Sequence, residues 1–174
     1  MHCPHCKTHA LSPTALEQGL VAAHCGQCDG SLLPLLNYRY WVGASHTSEP
    51  VPNPVGDVED NHHALQCPKC QRLMIKYRIG LDSGNKIDLC ANCDEVWLDS
   101  GEWTLLKQLG FHEQLPNIFT DVWQRNIRRQ RQAALQQERY EKLIGTADFD
   151  RIKDFKLWLE QHPHKEQIKQ YLIV

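Results

Sequence analysis

The sequence predicts an α+β chain: two small β-hairpin modules built on paired cysteines, each followed by a short helix, and then a C-terminal helical region with one long helix and a helical hairpin. Three observations predict it. All eight cysteines fall into Cys-x-x-Cys pairs: Cys3/Cys6, Cys25/Cys28, Cys67/Cys70 and Cys90/Cys93. The first two pairs repeat as the last two, at offsets of 64 and 65 residues. Beyond residue 111 the apolar residues take up helical spacing.

Nineteen residues separate Cys70 from Cys90, and eighteen separate Cys6 from Cys25. Two such pairs at this distance form the pattern of a zinc ribbon. Each pair sits on a tight turn, so two sulfurs from one turn and two from the other converge on one ion. The expected cofactor is therefore zinc, two structural Zn²⁺ per chain. Neither module buries much of a core from about forty residues, so metal binding, worth roughly 10–16 kcal/mol for a structural zinc, must supply most of the folding energy.

The first module spans 1–42. Aligned on the second, Leu33 falls on Leu98, Pro34 on Asp99, Tyr38 on Trp103 and Trp41 on Leu106. A short helix is expected after each hairpin. Pro34 suits the first helical position of one, and Asp99 the N-cap of the other, with Glu102 completing a capping box and Gly110 ending the helix. Between the modules, 43–64 carries alternating prolines, four acids and no Lys or Arg, and reads as a flexible linker. The second module spans 65–110.

The C-terminal region spans 111–174. A long helix is expected over 117–144, closed by Gly145. Phe119, Val122, Trp123, Ile127, Ala133, Ala134, Tyr140 and Ile144 fall on one broad side; Arg125, Arg128, Arg129, Gln132, Gln136 and Arg139 form a stripe on the other. The apolar side calls for a partner, either the terminal helices or a second copy of the chain. Thr146 is a candidate N-cap for a helix to residue 161, with Phe149, Ile152, Phe155, Trp158 and Leu159 toward a core. Pro163 restarts a last helix bearing Ile168, Tyr171 and Leu172.

Residues 67–109 resemble the zinc-ribbon family named after transcription factor IIB, in the form widespread in bacteria. The matching residues are Cys67-Pro68-x-Cys70, Cys90-x-x-Cys93, Trp97-Leu98-Asp99 and Glu102. The resemblance implies that Cys67, Cys70, Cys90 and Cys93 are zinc ligands, that Cys3, Cys6, Cys25 and Cys28 form a second set, and that the context is transcription or nucleic-acid binding. The chain departs from the family at Asp94-Glu95, where two glycines are usual. Glycine would permit positive φ there; Asp tolerates it and Glu less so. Two carboxylates beside a dianionic sulfur site also argue against nucleic-acid contact through that turn.

Four thiolates close a coordination sphere, so the sites read as structural and no catalytic residue is assigned. His2, His5, His24, His62 and His63 lie near the cysteines in sequence and read as exposed or outer groups. No Ser-His-Asp set, phosphate-cradling glycine loop or zincin helix occurs. A net charge of −2 offers no global case for nucleic acid. The local case is Arg125, Arg128, Arg129 and Arg139, spaced to follow a phosphate backbone. The expected role is a non-enzymatic binding module, with nucleic acid or a protein as partner and no small-molecule substrate. The alternative is a protein-interaction adaptor whose long helix self-associates as a homodimer. A ligand-type cysteine at position 3, where a signal peptide would stand, points to a reducing cytoplasm, and no apolar run suggests a membrane span.

Overall fold

The computed structural model describes residues 1–44, 58, 62–81 and 83–173. They divide into two compact units, 1–127 and 128–174. Most of the segment expected as a linker (45–57 and 59–61) lies outside the described residues. The carbonyl of Val58 accepts a hydrogen bond from Asn85 Nδ2 at 3.0 Å.

Each cysteine module of the first unit supplies three antiparallel strands. The first gives β1 (Ser12–Glu17), β2 (Leu20–His24) and β3 (Ser31–Pro34); the second gives β4 (Ile75–Arg78), β5 (Lys86–Cys90) and β6 (Glu95–Leu98). They join in one sheet of order β1-β2-β3-β6-β5-β4, which reads the same from either edge. At its centre β3 pairs with β6, and Leu32 stands opposite Trp97, its own counterpart in the repeat. The two modules, expected as separate domains over 1–42 and 65–110, therefore share a sheet about a local pseudo-twofold axis. Self-matching contacts of this kind are what a twofold interface requires. The repeat's length differences sit in turns. β1 and β4 correspond at an offset of 63, β2 and β5 at 65; the connection after the first turn is shorter in the second module and its hairpin loop is longer.

Alternation along the central strands sends side chains to two cores. Leu33, Val96 and Leu98 face one side, with Leu20, Ile79 and Ile87, under helices α1 (Leu35–Gly43), α2 (Glu102–Gln108) and α3 (Leu115–Ile118). Tyr38, Trp41, Trp103, Leu106, Leu115 and Ile118 descend from those helices. The buried Tyr38 hydroxyl accepts the Leu115 N–H at 3.0 Å, and burial raises its pKa to about 12. Leu32 and Trp97 face the other side, with Leu65, Met74 and the buried cysteines.

The helix ends refine the sequence reading. Pro34 ends β3 and precedes α1 rather than opening it. At α2 the Glu102 arm of the capping box forms. Glu102 Oε2 accepts the Asp99 N–H at 2.9 Å, the Asp99 carboxylate takes the Trp97 indole N–H at 2.8 Å, and Gly101 at φ 79°, rather than Asp99, occupies the N-cap. Gly110 does close α2, at φ 72°, with the Phe111 N–H reaching back to Leu106 O.

The expected helix over 117–144 is two helices. α3 stops at Ile118, and α4 (Asp121–Ile144) starts behind Thr120, whose hydroxyl accepts the Trp123 N–H at 3.3 Å. A Ser/Thr N-cap inside an apolar run explains the break. The first turns of α4 are tied to β4. Trp123 Nε1 donates to Ile79 O, and the Gln124 amide both donates to Arg78 O and accepts its N–H, as a neighbouring strand would.

In the second unit, residues 128–174, α4 continues to Ile144 and is followed by α5 (Thr146–Gln161) and α6 (Lys165–Ile173). Gly145, not Thr146, is the α5 N-cap. Lys165 and Lys169 both reach Glu160, bridging α5 and α6. Phe149 and Leu159 are buried as expected, whereas Ile152, Phe155 and Trp158 are exposed, against the core role predicted for them; Tyr171 and Leu172 of the last helix are exposed too. So few helical residues offer too little facing surface to cover five large side chains.

Gly30, just before β3, lies directly against Trp97. A β-carbon there would stand 2.2 Å from Cζ2 of the fully buried Trp97. Gly30→Ala is expected to cost roughly 1–3 kcal/mol by overpacking, read as a lowered urea midpoint. Gly26→Ala, which meets open space, should leave the midpoint almost unchanged.

Candidate metal centres

Four turns carry the eight cysteines, and they share one backbone design. The residue after each second cysteine (Lys7, Asp29, Gln71 and Asp94) has φ between 58° and 63°. Its N–H bonds to the carbonyl of the first cysteine: Lys7 to Cys3 and Gln71 to Cys67 at 2.8 Å, Asp29 to Cys25 and Asp94 to Cys90 at 2.9 Å. These four are the non-glycine residues with positive φ among the described residues. The left-handed bend turns the chain back after two residues, so both sulfurs of a pair face the same point. Glu95 carries no such bend and enters β6, so the strain expected from Asp94-Glu95 falls on Asp94 alone, which tolerates it.

The turns meet in pairs. Cys3, Cys6, Cys25 and Cys28 place their sulfurs within 4.8 Å of one another, as do Cys67, Cys70, Cys90 and Cys93. Across the turns, Cys3 Sγ lies 3.6 Å from Cys28 Sγ, Cys6 Sγ 4.0 Å from Cys25 Sγ, and Cys70 Sγ 3.6 Å from Cys90 Sγ. A Zn–S bond of about 2.3 Å sets tetrahedral sulfurs about 3.8 Å apart, whereas a disulfide needs about 2.05 Å. All eight cysteines are free thiols. Both sets fit a tetrahedral ion held by sulfur. In each set two cysteines are buried and two half-buried, so metal access is from the turn side.

Without an ion the sulfurs are poorly placed to ionise together. Burial pushes the Cys3 thiol up to about 11 and the Cys67 thiol up to about 12. Cys70, whose largest influence is a hydrogen bond from the Arg72 backbone, is lowered to about 7. Metal uptake must therefore displace protons from the buried thiols.

The surroundings explain how two such sites coexist. Trp97, Leu32, Leu65 and Met74 pack between them. His24 stands beside the first site, with Nδ1 3.2 Å from Ser31 Oγ and Nε2 3.3 Å from Asp29 Oδ1. His2, His5, His62 and His63 are exposed, and no histidine joins either sulfur set among the described residues. The carboxylates expected to make the last turn negative are paired instead. Asp94 meets Arg39 at 2.8 Å, and the buried Glu95 meets Lys69. Arg39 comes from the other module, a partner invisible until the modules share a sheet.

Arg125, Arg128, Arg129 and Arg139 are all exposed on α4. Among the described residues none forms an ion pair; Glu138, the nearest acid in sequence to Arg139, is held by Lys142. No described helix is long and apolar enough to cross a membrane. No protein-family model, curated protein or solved structure matches this chain.

Two measurements test the centres. Cys67→Ser is expected to lower bound metal from two equivalents toward one by elemental analysis, and also to weaken the first module, because β6 carries β3. For pH, thiols bind protons in the metal-free state and none when ligated, so acid favours release. Metal retention on a desalting column should be complete near neutral pH and fall progressively as the pH is lowered, with the chelated protein losing β-sheet circular dichroism in parallel.

Proposed function

We propose that the chain is a non-enzymatic zinc protein whose two Zn(Cys)₄ ribbons are structural and which acts as a binding module for nucleic acid. The observation that carries the metal part is the pair of closed, tetrahedrally sized sulfur sets. Four thiolates leave no position for water or substrate, so zinc there serves as a strut rather than a Lewis acid. Zinc rather than iron follows from the spacing of the pairs and the resemblance to the transcription-factor-IIB-type ribbons.

For the nucleic-acid part, support comes from the ladder of exposed arginines on α4, none of them in an ion pair among the described residues, with Arg125 Nε donating only to its own helix at Asp121 O. A helix surface bearing Arg125, Arg128 and Arg129 with Arg139 farther along can meet successive phosphates, releasing counterions at each. Pairing of Asp94 and Glu95 with Arg39 and Lys69 offsets the two carboxylates and leaves the charge of the sulfur site itself.

A second reading is an interaction adaptor that self-associates through its helical tail. Leu135, Leu143, Ile152, Leu157, Trp158 and Tyr171, all exposed in the second unit, favour it. Light scattering after size exclusion separates monomer from dimer. The nucleic-acid reading requires fluorescence anisotropy with mixed oligonucleotides to show affinity falling steeply with salt. Replacing Arg125, Arg128 and Arg129 by Ala should weaken binding and lower the salt slope by about one per arginine in phosphate contact. Binding that ignores both salt and the three substitutions would leave the adaptor reading in its place.

A further inference from the structure

We propose that the cleft between the first cysteine turns of the two modules binds a nucleotide; this deepens the nucleic-acid reading above and rests on it. The cleft has a volume of about 330 Å³, near the lower end of the range for ligand pockets. Its walls are corresponding residues of the repeat: His2 and Gln66, Pro4 and Pro68, Lys7 and Gln71. It therefore exists only because the modules share a sheet, and it lies on the pseudo-twofold between the metal centres.

The lining mixes polar side chains with Met1, Cys3 and two prolines and contains no carboxylate. It offers an imidazole, an ammonium and two carboxamides, and none of His2, Lys7, Gln66 and Gln71 has a side-chain partner among the described residues. Uncommitted donors on a fixed frame are what distinguish a recognition surface from a seam. Lys7 and Gln71 stand at the left-handed turn positions, with their N–H groups tied to Cys3 and Cys67, so their Cα atoms are fixed by the turns themselves.

Each group has a counterpart in a nucleotide. A carboxamide presents a donor and an acceptor side by side, which matches a base edge. Pro4, which is buried, and Pro68, half-buried, give apolar walls for the faces of a base. Lys7, exposed at the rim, suits a phosphate. The segments that carry the cleft bring cations close to it, although Lys69 and Lys76 are held by Glu95 and Asp88. Residues 1–16 and 62–81 contain Lys7, Lys69, Arg72, Lys76 and Arg78, five histidines, and no Asp or Glu.

The test uses the full chain with both metal equivalents bound, titrated with AMP, GMP, CMP and UMP by calorimetry and with fluorescein-labelled single-stranded 12-mers by anisotropy. Lys7→Glu and the double variant Gln66→Ala/Gln71→Ala alter exposed side chains, and retained metal content and circular dichroism check their fold. The expected result is oligonucleotide or mononucleotide binding weakened about tenfold or more by either variant, equivalent to about 1.4 kcal/mol. Binding of mononucleotides without oligonucleotides identifies a free nucleotide as the ligand; the reverse identifies a strand. Oligonucleotide binding that survives both cleft variants but is lost with Arg125, Arg128 and Arg129 replaced by Ala overturns the cleft and spares the wider reading. Absence of binding to every probe overturns both.

Discussion

The pairing of β3 with β6 is the constraint on which the first unit depends. Four residue pairs join the modules there, from Ser31 opposite Leu98 to Pro34 opposite Glu95. Because side chains alternate, this junction places Leu33, Val96 and Leu98 in the helix-covered core and Leu32 and Trp97 among the cysteines. Each module on its own would expose its third strand along an open edge, and an open edge invites wrong partners. Joined, each satisfies the other.

The junction is symmetric in backbone and asymmetric in side chains. Trp97 corresponds to Leu32, and Glu95 to Gly30. The large indole lies over the glycine, with its N–H held by Asp99. On the far side of the axis the smaller Leu32 corresponds to it and the larger Glu95 replaces the glycine, with Lys69 compensating the buried charge. A buried carboxylate is costly without such a partner. The repeat has thus diverged where its halves touch, while the four cysteine turns keep one geometry.

Much of this was legible in the residues. The cysteine spacing located both sulfur sets, and Gly110 and Gly145 located two helix ends, because metal turns and helix stops are local in sequence. The shared sheet was not legible. Nothing in the spacing of Ser31–Pro34 and Glu95–Leu98 says that they pair, since strand partners at long separation are chosen by tertiary packing. Everything that depends on that pairing was hidden with it: the Arg39–Asp94 contact, the burial of Glu95 and the cleft. Thr120 could have been read as a cap, but the apolar run through Phe119, Val122 and Trp123 outweighed a single hydroxyl. In the tail, periodicity found the helices and overstated their cores, because an amphipathic pattern shows which face is apolar and not whether anything covers it.

The palindromic strand order has a consequence for how the polypeptide could be divided. The connection between the modules contributes no strand to the sheet among the described residues, so a cut there would leave three of the six strands on each fragment, with only the β3–β6 pairing between them. Each fragment would carry one bare central edge shaped to fit the other and, nearly as well, another copy of itself. Supplied as two polypeptides, the halves would meet as subunits do, and the mismatch between indole and glycine on one side and leucine and carboxylate on the other would favour the mixed pair over either twin.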